Sequence, residues 1–223
     1  MSSMPDTDHS LAYLADAEPA EPPRLLVLAH GVGGNETNLA PLAARVPSDT
    51  VVVLARGPLT LGPGQYAWFR VAFGPHGPRP DLAAAETSRQ RLATFVGEMQ
   101  AHYGVPPTAT VVAGFSQGGI MSASVALTRP DLVAGFGVLA GRILPELEPR
   151  LAAREALHSI RAFIGHGRDD SKLPVDWAHR ADTWLTDLGV RHETHLYPGD
   201  HGLSPAMQDD FLGWFDRTTR HAG

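Results

Sequence analysis

Six short apolar runs recur along the chain: RLLVLAH at 24–30, TVVVLA at 50–55, ATVVAGF at 109–115, VAGFGVLA at 133–140, RAFIGH at 161–166 and ETHLYP at 193–198. Most are near-continuous rather than alternating, the pattern of strands buried on both faces. Between them, residues 36–46, 81–104, the stretch after 116, 175–189 and 206–220 carry apolar positions at helical spacing. Strands alternating with helices imply right-handed crossovers and an α/β fold, with a mostly parallel central sheet and helices on both of its faces. Upstream, LAYLADAEPAEPPR at 11–24 predicts a short edge strand and then an acidic, Pro-rich spacer whose prolines forbid a regular element. Residues 1–23 are thus read as an N-terminal segment, and 24–223 as one domain with no internal repeat or linker-like tract.

In sheets of this kind ligands bind beyond the carboxyl ends of the strands, so the ends of the apolar runs are where chemistry is expected. The run at 109–115 ends in GFSQGG, Gly114 to Gly119, at the turn from strand to helix. A serine in such a turn is lifted above the sheet if the residues two before and two after are small, and Gly114 and Gly118 meet that condition. The five-residue pattern is weak evidence alone, because glycine and serine are common; its place between strand and helix is what gives it weight. Otherwise Ser116 is merely a helix N-cap in a tight turn.

A serine hydroxyl needs a base, and the base needs a carboxylate to orient it, here in the chain order serine, acid, histidine. The run at 161–166 leads into GRDDSKLP, which offers Asp169 and Asp170, and the run at 193–198 leads into GDHGLSP, which offers His201. His192 and His195 lie three apart on a strand and face opposite sides. His30 and His166 begin glycine turns and are read as buried structural histidines. The loop HGVGGNET at 30–37 lacks the lysine of GxxxxGK[ST] and the spacing of GxGxxG, so an oxyanion hole fits it better than a phosphate cradle.

Composition narrows the alternatives. The chain has no cysteine, which removes thiol nucleophiles and Cys-based zinc sites. Asp169, Asp170 and His201 could ligate a cation, but no HExxH or EF-hand pattern accompanies them, and no metal or cofactor is expected. The formal net charge is −6 with arginines scattered singly, so no nucleic-acid partner is expected. The acidic N-terminal stretch without an apolar core, and the absence of a membrane-length apolar run, predict a cytoplasmic chain with no stable membrane insertion. A monomer and a homodimer are both compatible with the sequence.

HGVGGNE, AWF, GFSQGG followed by LTRPDL, GRILPE, HGRDDSKLP and YPGDHGLSP occur in that order, and over about residues 24 to the C-terminus the sequence resembles the phospholipase/carboxylesterase group of α/β-hydrolases. The resemblance implies Ser116 as nucleophile, His201 as base and Asp170 as acid, the last because a proline follows four residues later at Pro174. It also implies that the backbone N–H groups of Val32 and Gln117 form the oxyanion hole. Two departures are visible: WFR in place of WFD, which introduces Arg70, and AGR in place of SGR, which leaves Ala140.

The expected activity is a serine carboxylesterase acting on soluble short- to medium-chain acyl esters. Acyl-protein thioesterase or lysophospholipase activity is the alternative on the same triad, and a non-catalytic binding protein, a peptidase or a cofactor-free perhydrolase are rivals on the same fold. The Gly- and Pro-rich stretch 56–80 contains Trp68, Phe69, Arg70 and Phe73, read either as a cap on the core or as the substrate wall beside the serine. Arg70 is read equally as a solvated residue or as a contact for an anionic substrate group. No large lid domain is expected from the length available.

Overall fold

The computed structural model describes residues 9–15, 24–74 and 77–220, with the side chains of 73, 74, 77 and 78 outside that description. The spacer at 16–23 lies outside the described residues.

The strands of the central sheet are β1 (Tyr13–Ala15), β2 (Arg24–Ala29) and β3 (Thr50–Ala55), and after the two hairpins described below, β8 (Thr110–Phe115), β9 (Gly135–Leu139), β10 (Arg161–Gly167) and β11 (Arg191–Tyr197). Their order across the sheet is β1-β3-β2-β8-β9-β10-β11, with β1 antiparallel to β3 and every other pairing parallel. The first strand, β1, therefore stands at one edge, while the parallel part starts inside the sheet at β2, steps outward to β3, and returns through β8 to build the other half as far as β11. The six predicted runs are the six parallel strands.

Successive residues of each strand feed opposite faces. Leu25, Val27, Val51, Val53 and Val112 join one apolar core, and Leu26, Leu28, Val52, Leu54 and Val111 the other. This is the physical reason the runs are continuous: with a core on each side, neither parity tolerates a polar residue. The first core is closed by α2 (Leu82–Tyr103), α3 (Gln117–Thr128) and α5 (Asp176–Leu188), through residues such as Phe95, Met121 and Leu185. The second is closed by α1 (Ala40–Ala43) and α6 (Pro205–Arg220), through Leu42, Phe211, Trp214 and Phe215. Phe211 and Phe215 are fully buried, and each such aromatic contributes about 1.5–3 kcal/mol on transfer from water.

The helix expected over 36–46 shrinks to the four residues of α1. Asn35 and Asn38 explain the loss. The Asn35 side chain accepts the Thr37 N–H at 2.9 Å, and that of Asn38 accepts the Asn35 N–H, so these groups hold the backbone in turns that compete with a helix. Helical geometry begins only where Pro41 supplies a favourable φ. A short α4 (Arg154–Leu157) and a 3₁₀ turn at Pro145–Arg150 follow β9; neither has a clear periodicity in sequence.

The stretch at 56–80 forms two hairpins, β4 (Leu59–Gly62) with β5 (Gln65–Ala67), and β6 (Val71–Gly74) with β7 (Gly77–Pro80). The first is tied to the loop after β2, where Gly33 N–H donates to the Tyr66 carbonyl and Tyr66 N–H to the Gly34 carbonyl, both at 2.8 Å. Among the described residues no helix is long and apolar enough to cross a membrane, and no large lid stands over the sheet.

Candidate active site

Ser116 lies between β8 and α3 with φ 52° and ψ −115°, one of two non-glycine residues at positive φ among the described residues. An L-residue held there stores strain of about 1–3 kcal/mol, which the surrounding structure must hold in place. The flanking glycines are a steric necessity. A Cβ on Gly118 would lie 1.9 Å from the Ala29 carbonyl oxygen, and one on Gly114 would lie 2.4 Å from the Gly118 carbonyl carbon. Helix and strand approach so closely that no side chain fits at either point.

His201, in the loop after β11, places Nε2 3.0 Å from the Ser116 hydroxyl and Nδ1 2.7 Å from Asp170 Oδ2. A carboxylate can only accept, so Nδ1 carries the proton and Nε2 offers its lone pair to the serine. Asp170, after β10, has no accessible side-chain surface. Its Oδ1 accepts the backbone N–H groups of Lys172 at 2.9 Å and Leu173 at 2.8 Å, so the buried charge is fully partnered. Asp169, by contrast, is exposed, and among the described residues its carboxylate accepts only the Gly199 N–H, at 3.4 Å.

Two further residues frame this chain. His166, fully buried, donates from Nε2 to the Leu173 carbonyl at 2.7 Å and stands 3.3 Å from Asp170 Oδ2. Asp200 accepts N–H groups from Ser171 and from His201, each at 2.7 Å, and so links the loop after β10 to the loop after β11. Those backbone donors, Ser171 first, hold its carboxyl below the usual carboxylate range.

On the other side of the serine runs the loop 30–36. Gly33 and Gly34 N–H groups are spent on Tyr66 and Gly31, whereas among the described residues the backbone N–H groups of Val32 and Gln117 have no partner. Val32 is exposed at the cleft. The loop is braced from behind. His30, buried, accepts the Gly57 N–H at Nε2 (2.9 Å), which leaves Nδ1 to donate to the Gly31 carbonyl at 2.7 Å. Burial lowers its proton affinity below the ordinary imidazole value. Glu36 pairs with Arg56, Nε to Oε2 at 2.6 Å, and the hydrogen-bonded guanidinium holds the Glu36 carboxyl below its usual range.

The predicted substrate-wall residues separate. Phe69 and Arg70 line the cleft beside Ser116, the first almost wholly buried and the second exposed. Trp68 does not: it is fully buried in the first core, its indole N–H donating to the His30 carbonyl at 2.9 Å. Phe73 is on β6, and its side chain lies outside the described residues. What sequence reasoning missed is the Gln117 side chain. Its Oε1 accepts the Trp68 N–H and its Nε2 donates to the Phe69 carbonyl, both at 2.8 Å, so the residue after the serine also fastens the wall of the cleft. Its distance in sequence from 68 and 69 left no local signal. The cleft has a volume of about 760 Å³ and is walled largely by apolar groups, with Ser116 and His201 at its surface.

The sequence profile of the family described as Phospholipase/Carboxylesterase matches residues 15–212. Acyl-protein thioesterase 1 of Kluyveromyces lactis is 26% identical over 213 residues, covering 84% of this chain and 92% of that protein. Acyl-protein thioesterase 1 of Debaryomyces hansenii is 25% identical over 153 residues, covering 67% of this chain and 66% of its relative, just under two thirds of that length. Among solved structures, that of the esterase PE8 superposes with a TM-score of 0.81 at 25% identity, covering 93% of this chain and 99% of the other. The carboxylesterase of Bacillus cereus gives 0.79 at 23% identity, covering 95% and 96%, a likeness of fold.

Proposed function

Because the chain belongs to the phospholipase/carboxylesterase family, we propose that it is a serine hydrolase acting on ester bonds, a carboxylesterase for soluble short- to medium-chain acyl esters working through an acyl-enzyme on Ser116. The observation that carries this reading is the unbroken chain from the Ser116 hydroxyl through His201 to Asp170, at 3.0 Å and 2.7 Å, in a residue lifted by its own backbone into an open cleft.

Ser116 Oγ attacks the acyl carbonyl while His201 Nε2 takes its proton. The imidazolium that forms faces the Asp170 carboxylate, whose oxygens accept two backbone N–H groups and the imidazole N–H. The developing oxyanion is met by the N–H groups of Val32 and Gln117, the latter at the positive end of α3. As the intermediate collapses, His201 returns the proton to the leaving alkoxide. Water then attacks the acyl-enzyme, giving a proton to His201, which passes it to the departing Ser116 Oγ as the acid is released. In this scheme the fixed backbone donors stabilise the negative charge.

Thioesters are the second reading, favoured by the two fungal relatives named as acyl-protein thioesterases. The cleft is open rather than lidded, which suits a soluble acyl group presented from solvent. A panel of chromogenic acyl esters and thioesters, with wild type against Ser116→Ala, tests the proposal. Turnover that falls to background in the variant is expected; equal rates for the two proteins would remove the assignment.

A further inference from the structure

Three cations line the cleft that holds Ser116 and His201, namely Arg70, Arg142 and Lys172, and among the described residues no Asp or Glu lines it. This is a concentration of positive charge in a chain whose net charge is −6 and which has a single lysine. Arg142 is the informative member. It follows β9, half-buried, with its guanidinium carbon 4.4 Å from the centroid of the Trp177 ring on α5. Burial works against its charge, with only the Glu146 carboxylate nearby in its favour, yet a guanidinium does not lose its proton in a protein.

Other arginines withdrawn from solvent are differently provided for. Arg24 meets Asp49 and Asp216, Arg56 meets Glu36, and Arg89 meets Glu86. Among the described arginines that are not fully exposed, only Arg142 and Arg161 have no ion pair, and Arg161 is at the opposite, amino-terminal end of its strand. A planar, fivefold donor laid on an aromatic face is pre-oriented for an oxyanion, which it can grip with two parallel hydrogen bonds. Dry apolar walls strengthen that attraction.

Resting on the hydrolase reading of this cleft, we propose that its substrate is an anionic ester, one whose non-reacting end carries a carboxylate or phosphate held by Arg142, with Arg70 and Lys172 adding charge at the mouth. Hydrolysis itself is unchanged: water divides the ester into acid and alcohol, and the anionic group passes into one product.

Matched pairs test the idea and locate the charge. On the acyl side, the mono-4-nitrophenyl ester of glutarate is compared with its methyl-capped neutral counterpart. On the leaving-group side, 4-acetoxyphenyl phosphate is compared with phenyl acetate. In at least one pair, kcat/KM for the anion is expected to exceed that for the neutral ester about tenfold at low salt, one good charge-assisted contact's worth, and to lose the advantage at high salt. Arg142→Gln should bring the ratio near one, while Arg70→Gln and Lys172→Gln, both exposed, should lower it by smaller factors. Ratios of one or less in both pairs, or a preference untouched in Arg142→Gln, would overturn the anion site while turnover lost in Ser116→Ala kept the hydrolase. If no ester is turned over, the hydrolase reading fails separately, and calorimetry on Ser116→Ala with the glutarate ester decides the site. Binding that needs Arg142 and low salt would uphold it, and binding no tighter than that of the neutral ester would end it.

Discussion

Gln117→Ala isolates the clamp between the helix that follows Ser116 and the wall of the cleft. The amide side chain is the partner of two backbone groups, the Trp68 N–H and the Phe69 carbonyl, and Trp68 and Phe69 are 0% and 2% exposed. Removing it strands a buried donor and a buried acceptor at once. Each unpaired group costs about 1–3 kcal/mol, so ~2–6 kcal/mol is expected, a large part of the roughly 5–15 kcal/mol that holds a domain folded. Urea denaturation reads the loss as a lower midpoint at unchanged slope.

Gln117→Glu adds a sharper test. One carboxylate oxygen still accepts from Trp68, but the other faces the Phe69 carbonyl, acceptor against acceptor. Only the protonated acid restores the donor, so the folded state raises the pKa of this carboxyl. The destabilisation relative to wild type is then fully present above that raised value and shrinks as pH falls toward about 4.3, the ordinary glutamate value. A Gln117→Ala protein within about 0.5 kcal/mol of wild type, the scatter of ordinary surface substitutions, would refute the reasoning. So would a Gln117→Glu deficit that does not vary with pH.

Asp170→Asn should lower kcat/KM by on the order of 10³–10⁴, because its amide can donate to His201 Nδ1 and favour the wrong tautomer. Asp169→Asn should stay within a few-fold, and the reverse order in the same ester assay would transfer the acid's role to Asp169. Stability should decline on acidification in two windows. His30, whose imidazole is disfavoured as a cation by burial, begins to cost stability as pH falls below about 6.5, because the unfolded chain takes up the proton first. Glu36, held low by Arg56, contributes stability above about 4.3 that is lost as pH falls through its lower folded value. Urea midpoints across pH should show both, with the lower window flattened in Glu36→Gln; stability that rises from neutral pH toward pH 5, about one and a half units below the ordinary imidazole value, would contradict the assignment.

Much of this architecture was legible before any coordinates. The inner strands are legible because both of their faces are covered, so Val51 to Leu54 can all be apolar, and Ser116 is marked by glycines at the two positions where a Cβ would strike backbone. Where the reading failed, the deciding contact was either very local or very distant. Asn35 and Asn38 shortened α1 through side-chain bonds that periodicity does not register. Trp68 was expected at the cleft, since an aromatic in a Gly- and Pro-rich stretch suits a wall as well as a core, and only its bond to the His30 carbonyl settles which. Gln117 and Arg142 were visible as residues, but their partners at 68, 69 and 177 come from other loops and helices.

The hydroxyl, the imidazole and the carboxylate follow three different strands, with Ser116 and His201 85 positions apart in sequence and Asp170 and His201 31 apart. On a ribosome, the proposed nucleophile therefore emerges long before its proposed base. Until the last strand has docked at the sheet's far edge, a nascent or prematurely terminated polypeptide carries an inert alcohol and cannot attack acylated molecules around it. Under the proposed mechanism, hydrolytic competence arrives only after His201 has been made and its strand has docked, and its appearance during synthesis would serve as a clock for that docking.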